Sequence, residues 1–184
     1  MGAFYSLGIT FDNIENAENC KSEFEKYKFY LSDNTEVGFR IFITKCDYLL
    51  NEKEQFTCGI FPLGLELPNA NLKLLKGKYF YEIRTALYTF LNDLKLSFNF
   101  AFYEFEGDDF VQDNNPIFDI LEYGYGEIES GEPNGYFLGL YNSSDFLPKR
   151  YLDGLVISNT ICDRDLTNLK EFENFKEGYL WLQL

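Results

Sequence analysis

Histidine is missing from this 184-residue chain. Its absence excludes Ser-His-Asp and Cys-His activation of a nucleophile, imidazole acid–base work and the usual zinc sites. Cysteine is scarce: Cys20, Cys46, Cys58 and Cys162 stand too far apart for a CxxC or zinc-ribbon spacing. In a reduced compartment they are expected as small buried hydrophobes. Long apolar runs are lacking too, so no segment reaches the roughly 20 apolar residues of a membrane-spanning helix. The opening "MGAFYSLGITFDN" shows no basic stretch followed by an apolar core and a cleavage site, and the expected compartment is the cytoplasm. Gly2 and Ser6 fit the loose N-myristoylation pattern, but Phe4 and Tyr5 read as the start of a strand.

What is present is a hydrophobic content of 46% with 19% aromatics. That is enough for a core, and the length fits a single domain spanning residues 1–184. Residues 3–11 form the first strand candidate. After them Ile14, Ala17, Cys20, Phe24 and Tyr27 recur at helical spacing, with Asp12 and Glu15 in a capping-box-like pair. From Phe29 the pattern turns to strands. In "EVGFRIFIT", Val37, Phe39, Ile41 and Ile43 alternate with Gly38, Arg40 and Phe42; both faces are partly apolar, which predicts an interior strand. "FTCGIFPLGLEL" adds an extended segment punctuated at Pro62 and Gly64.

A second helix is expected over "YFYEIRTALYTFLNDLKL", where Ile83, Ala86, Leu87, Phe90, Leu91 and Leu94 make one broad stripe for packing on a sheet. In "LSFNFAFYEFE", alternation would put Leu96, Phe98, Phe100 and Phe102 on one strand face with Glu104 and Glu106. Later strand candidates are "DILEYGYGEI", "GYFLGLY", "DGLVIS" and the terminal "YLWLQL", and a short helix over residues 165–175 stops at Gly178. Strands in runs, without regular strand–helix alternation, predict an α+β domain with a largely antiparallel sheet packed by two to three helices.

Charge is unevenly distributed. The net charge is −14, yet from Leu96 to Pro148 there are eleven acidic residues and no Lys or Arg, while the rest of the chain holds 19 acidic and 16 basic residues. Acidity spread over a whole chain serves solubility; acidity of one sign confined to under a third of it repels itself. A cationic partner would relieve that cost. Nucleic acid is disfavoured as a direct ligand, because phosphates need a basic surface. The candidate partner-binding residues are therefore Glu104, Glu106, Asp108, Asp109, Asp113, Glu122, Glu127 and Glu129, joined by Tyr123 and Tyr125, which flank Gly124 and share one face if the segment is a strand. Tyrosine beside carboxylates is the composition of an interface anchor.

Other chemistry fits less well. Glu104 and Glu106, two apart on a strand, have a spacing compatible with a pair of glycosidase carboxylates, which any acidic strand reproduces. "EGDDFVQDNN" is rich in oxygen ligands but departs from the EF-hand order. No cofactor, metal or membrane partner is expected.

In overall character, an acidic α+β chain without catalytic histidine and with aromatics beside its acids resembles the bacterial immunity proteins of polymorphic-toxin and contact-dependent-inhibition systems. The resemblance implies tight binding to a cognate toxin domain, a basic nuclease for example, and no turnover. The alternatives are a DNA mimic that blocks a nucleic-acid-binding protein, with acids spread along an elongated face, and a carboxylate-dependent hydrolase, with a deep cleft at Glu104.

Overall fold

A computed structural model describes residues 5–50, 52–63, 78–105, 152–161 and 173–183. In chain order the elements are β1 (Tyr5–Phe11), α1 (Ile14–Glu25), β2 (Phe29–Tyr30), β3 (Glu36–Val37), β4 (Phe39–Leu50), β5 (Lys53–Pro62), α2 (Lys78–Asp93), β6 (Phe100–Phe105), β7 (Leu152–Ser158), β8 (Glu173–Lys176) and β9 (Tyr179–Gln183). Seven strands form one sheet in the order β4-β5-β1-β6-β7-β9-β8, every neighbouring pair antiparallel, and β2 and β3 form a separate small hairpin. The arrangement is α+β, with two helices among the described residues.

Both helices pack an apolar stripe on one face of the sheet, but Ile14, expected at the head of the α1 stripe, is exposed in the first turn of that helix. Ala17, Cys20 and Phe24 of α1 and Ile83, Leu87, Phe90 and Leu91 of α2 join Leu7, Ile9, Phe11, Cys58, Ile60, Ala101, Tyr103 and Val156 in one core cluster. The sheet residues alternate by two and the helix residues by three or four, so each element turns one side inward. Fully burying each large side chain stabilises the fold by about 1.5–3 kcal/mol. The stripe expected on α2 is confirmed, since all six of its residues are buried.

The opposite face of the sheet is buried as well, but its residues are of another kind. Gly8, Thr10, Thr57, Phe100, Phe102, Leu155 and Ile157 line it. Thr57 Oγ1 lies 3.0 Å from Thr10 Oγ1 and 3.2 Å from Cys46 Sγ, so these groups satisfy one another across three strands. Gly8 pairs with Phe102, and a Cβ there would overlap the Phe102 ring. The glycine is what lets the ring lie across β1.

Several local expectations change. The N-cap of α1 is Asn13, whose side chain accepts from the Asn16 amide at 2.8 Å, whereas Asp12 pairs with Lys53. "EVGFRIFIT" is broken at Gly38, so Val37 belongs to the hairpin and Phe39 begins β4. Within the described sheet β4 lies at an edge rather than in the interior. Its two-faced apolar pattern is used all the same: Ile41 and Ile43 pack on the helix-side core, and Phe42 stacks on Phe61 with centroids 4.8 Å apart. The strand face expected from Leu96 onward begins only at Phe100. Phe98 turns to the helix side, stacked at 4.3 Å on Tyr179, while Phe100 lies on the other face. The last part of the helix expected over residues 165–175 is strand instead, Glu173–Phe175 lying in β8; residues 162–172 are outside the described residues. Gly178 stands in the β8–β9 turn at φ 81°, a backbone conformation that suits glycine.

Candidate partner-binding site

Of the ten residues singled out from the sequence, Glu104 is the one within the described residues. It sits in β6, opposite Ser6 of β1 and, past a bulge after Tyr103, opposite Leu152 of β7. Glu106, Asp108, Asp109, Asp113, Glu122, Tyr123, Tyr125, Glu127 and Glu129 lie outside the described residues, as do the strand candidates "DILEYGYGEI" and "GYFLGLY".

Strand pairing nevertheless places the two roots of the acidic stretch. β6 ends at Phe105 and β7 starts at Leu152, and the two are antiparallel neighbours. Phe105 and Leu152, the described residues that bracket residues 106–151, therefore lie at the same end of the sheet on neighbouring strands. Tyr5 pairs with Phe105, Leu7 with Ile60, and Phe39 with Pro62, so the start of β1, the end of β5 and the start of β4 share that end. Ser6 adds a buried hydroxyl that has no hydrogen-bond partner among the described residues.

Contacts along α2 bring its N-terminus to the same end. The Tyr88 ring lies 5.9 Å from Tyr103, while the carbonyls of Leu91 and Leu94 accept from Lys176 Nζ at 2.9 and 2.8 Å, and Lys176 lies over Phe98 and Tyr179. Moving toward the C-terminus of α2 therefore means moving back along β6. Tyr81, seven residues before Tyr88, is roughly 10 Å farther along the helix axis toward that end.

The β2–β3 hairpin docks there too. The Ser32 amide and hydroxyl both donate to the Glu82 carboxylate, at 2.7 and 2.9 Å, and the Tyr27 hydroxyl donates to the Ala86 carbonyl. The Leu63 amide donates to the Gly38 carbonyl at 2.7 Å, tying the end of β5 to the chain just after the hairpin. On its outer side Glu36 accepts from Lys28 at 3.0 Å, which raises the lysine above its ordinary pKa.

Four large hydrophobic side chains are exposed among the described residues: Ile14, Tyr30, Leu63 and Tyr81, at 50, 51, 47 and 53%. Three of them, Tyr30 on β2, Leu63 and Tyr81, belong to this end. Sequence reasoning passed over them. Tyr81 carried a signal, because it falls off the apolar stripe of α2; Tyr30 and Leu63 carried none, because their exposure follows from how the hairpin docks.

The hydrogen bond to Cys58, with burial behind it, pushes the Cys20 thiol above its ordinary pKa, so it remains a protonated, packed side chain. Among the described residues no group of three or more Cys, Asp or Glu is placed to hold a metal ion, and no helix is long and apolar enough to cross a membrane. Comparison with models of protein families, with curated proteins and with solved structures finds no match for the chain.

Proposed function

We propose that this protein is an immunity-type antidote: it binds and neutralises a basic protein, a cognate bacterial toxin domain of the nuclease kind, through the carboxylates and tyrosines of residues 104–129. The observation that carries this reading is the eleven-acid stretch without a single Lys or Arg, rooted at both ends on adjacent strands of a sheet otherwise furnished with mixed charge. Among the described residues, five lysines of the rest of the chain pair with carboxylates nearby: Lys21–Glu25, Lys26–Glu23, Lys28–Glu36, Lys45–Glu54 and Lys53–Asp12. The stretch from Leu96 to Pro148 has no cation of its own to answer its acids.

A toxin that acts on nucleic acid carries Lys and Arg where phosphates go. An acidic surface is its complement, and opposite charge speeds the encounter, which an antidote needs before damage accumulates. The action is stoichiometric: one binding equivalent protects, and nothing is turned over.

The test uses the purified basic protein encoded beside this gene. Changing Glu104 and Glu106 to Gln and Asp108 and Asp109 to Asn is expected to slow association by about tenfold at low salt and to flatten its salt dependence, with the melting temperature held. Unchanged association kinetics would remove this surface from the interface. Protection at strongly substoichiometric amounts that is lost in Glu104→Gln would mean catalysis and end the binding reading.

A further inference from the structure

We infer that the end of the sheet bearing Tyr30, Leu63 and Tyr81 is the apolar anchor of the same interface, and that the basic partner drawn in by the acidic stretch seats on these three side chains. The inference rests on the proposed function and adds to it the place where the complex is held together.

Monomer surfaces scatter single apolar side chains, and a lone exposed leucine or tyrosine needs no explanation. Here three of four gather at one end, held there by different elements: β2, the residue after β5, and the first turns of α2. They are fixed in place rather than trailing. Glu82, next to Tyr81, grips Ser32 of the hairpin through two hydrogen bonds, and Leu63 is bonded to Gly38. Rigid aromatic anchors lose little freedom on binding, which is why tyrosine concentrates at the centres of interfaces. The same end carries Phe105 and Leu152, the roots of the acidic stretch.

Charge selects the occupant. A second copy would bring a net −14 against −14, and a basic protein is the complement. The remaining exposed apolar residue supplies an internal control: Ile14 opens α1, which follows the far end of β1.

The experiment measures dissociation of the purified basic protein encoded beside this gene from four forms of this one: wild type, Tyr30→Ser/Leu63→Ser/Tyr81→Ser, the single Tyr81→Ala, and Ile14→Ser. The triple variant should dissociate faster by about a hundredfold and Tyr81→Ala by about tenfold, with Ile14→Ser unchanged. Should the triple variant not fold, Tyr81→Ala decides, because a half-exposed side chain can be truncated without emptying the core. Wild-type dissociation rates in both would overturn the inference, and if the acidic substitutions still slow association the proposed function survives without it. Absence of any binding by wild type overturns both. A wild-type dimer in sedimentation that the triple variant dissociates would assign the patch to a second copy and overturn the inference as well.

Discussion

At the end of the sheet where β1 gives way to α1, polar groups are answered within the chain. Lys53 pairs with Asp12 at 2.9 Å, Asn99 donates to Gln55 at 2.6 Å, and the Ser158 amide donates to the Asn99 carbonyl. Tyr179 accepts from the Phe98 amide and donates to its carbonyl, while Lys176 donates to three carbonyls at the C-terminus of α2. At the opposite end Ser6 holds a buried hydroxyl without a partner among the described residues, three large apolar side chains are exposed, and a one-signed acidic stretch is rooted. Helix ends and strand ends leave orphan donors and acceptors on any domain, and satisfying them locally secures the fold. If the proposed interface is right, stability and recognition are divided between the two ends, so that changes at one should be felt in unfolding and changes at the other in binding.

The largest test of that division is Tyr179→Ala. It removes a ring stacked on Phe98 and both hydrogen bonds to the Phe98 backbone. A loss of about 3–5 kcal/mol in urea unfolding is expected, with the dissociation rate of the basic partner from molecules that remain folded unchanged. A changed dissociation rate would show that the two ends are coupled.

Glu82→Gln is an intermediate case, because Glu82 lies at the end proposed for recognition yet serves the fold. Weakening its hold on Ser32 should cost about 1 kcal/mol. Hydrogen exchange should show the Ser32 amide losing protection while the β1 and β6 amides keep theirs. Loss of protection in the central strands would mean that the hairpin is part of the global folding unit.

The smallest effect belongs to Asp12→Asn at the closed end. The Lys53 hydrogen bond holds Asp12 below the ordinary carboxylate pKa, and the group is exposed enough for water to screen the pair. A lowered folded-state pKa contributes stability that is present above the unfolded value and lost as pH falls through the folded one. The gap between wild type and variant should therefore stay below about 1 kcal/mol, hold constant above about pH 4, and close on acidification. A gap that widens in acid would contradict the pairing.

The two helices, the strands β1, β5 and β9, and the antiparallel α+β class were legible in the sequence, because periodic burial imposes a spacing of 3.6 or 2 on apolar residues whatever the topology, though β5 starts three residues earlier than expected, at Lys53. Ile83, Leu87, Leu91 and Leu94 announce the inner side of α2 as plainly as Leu7 and Ile9 announce the inner side of β1. The segregation of acidic residues was legible too, since charge is a property of the residues themselves. Which neighbour each element meets was not. Asn13 rather than Asp12 caps α1 because Lys53, 41 residues away, engages Asp12. Phe98 and Phe100 part company because β6 begins between them, and β4 lies at an edge of the described sheet although its pattern would serve an interior strand. Tyr30, Leu63 and Tyr81 come to one end with the acidic roots only through strand order and the docking of a hairpin onto α2. Local spacing records how much of a residue is buried; only long-range pairing decides against what, and at which end of the molecule its exposed side is offered.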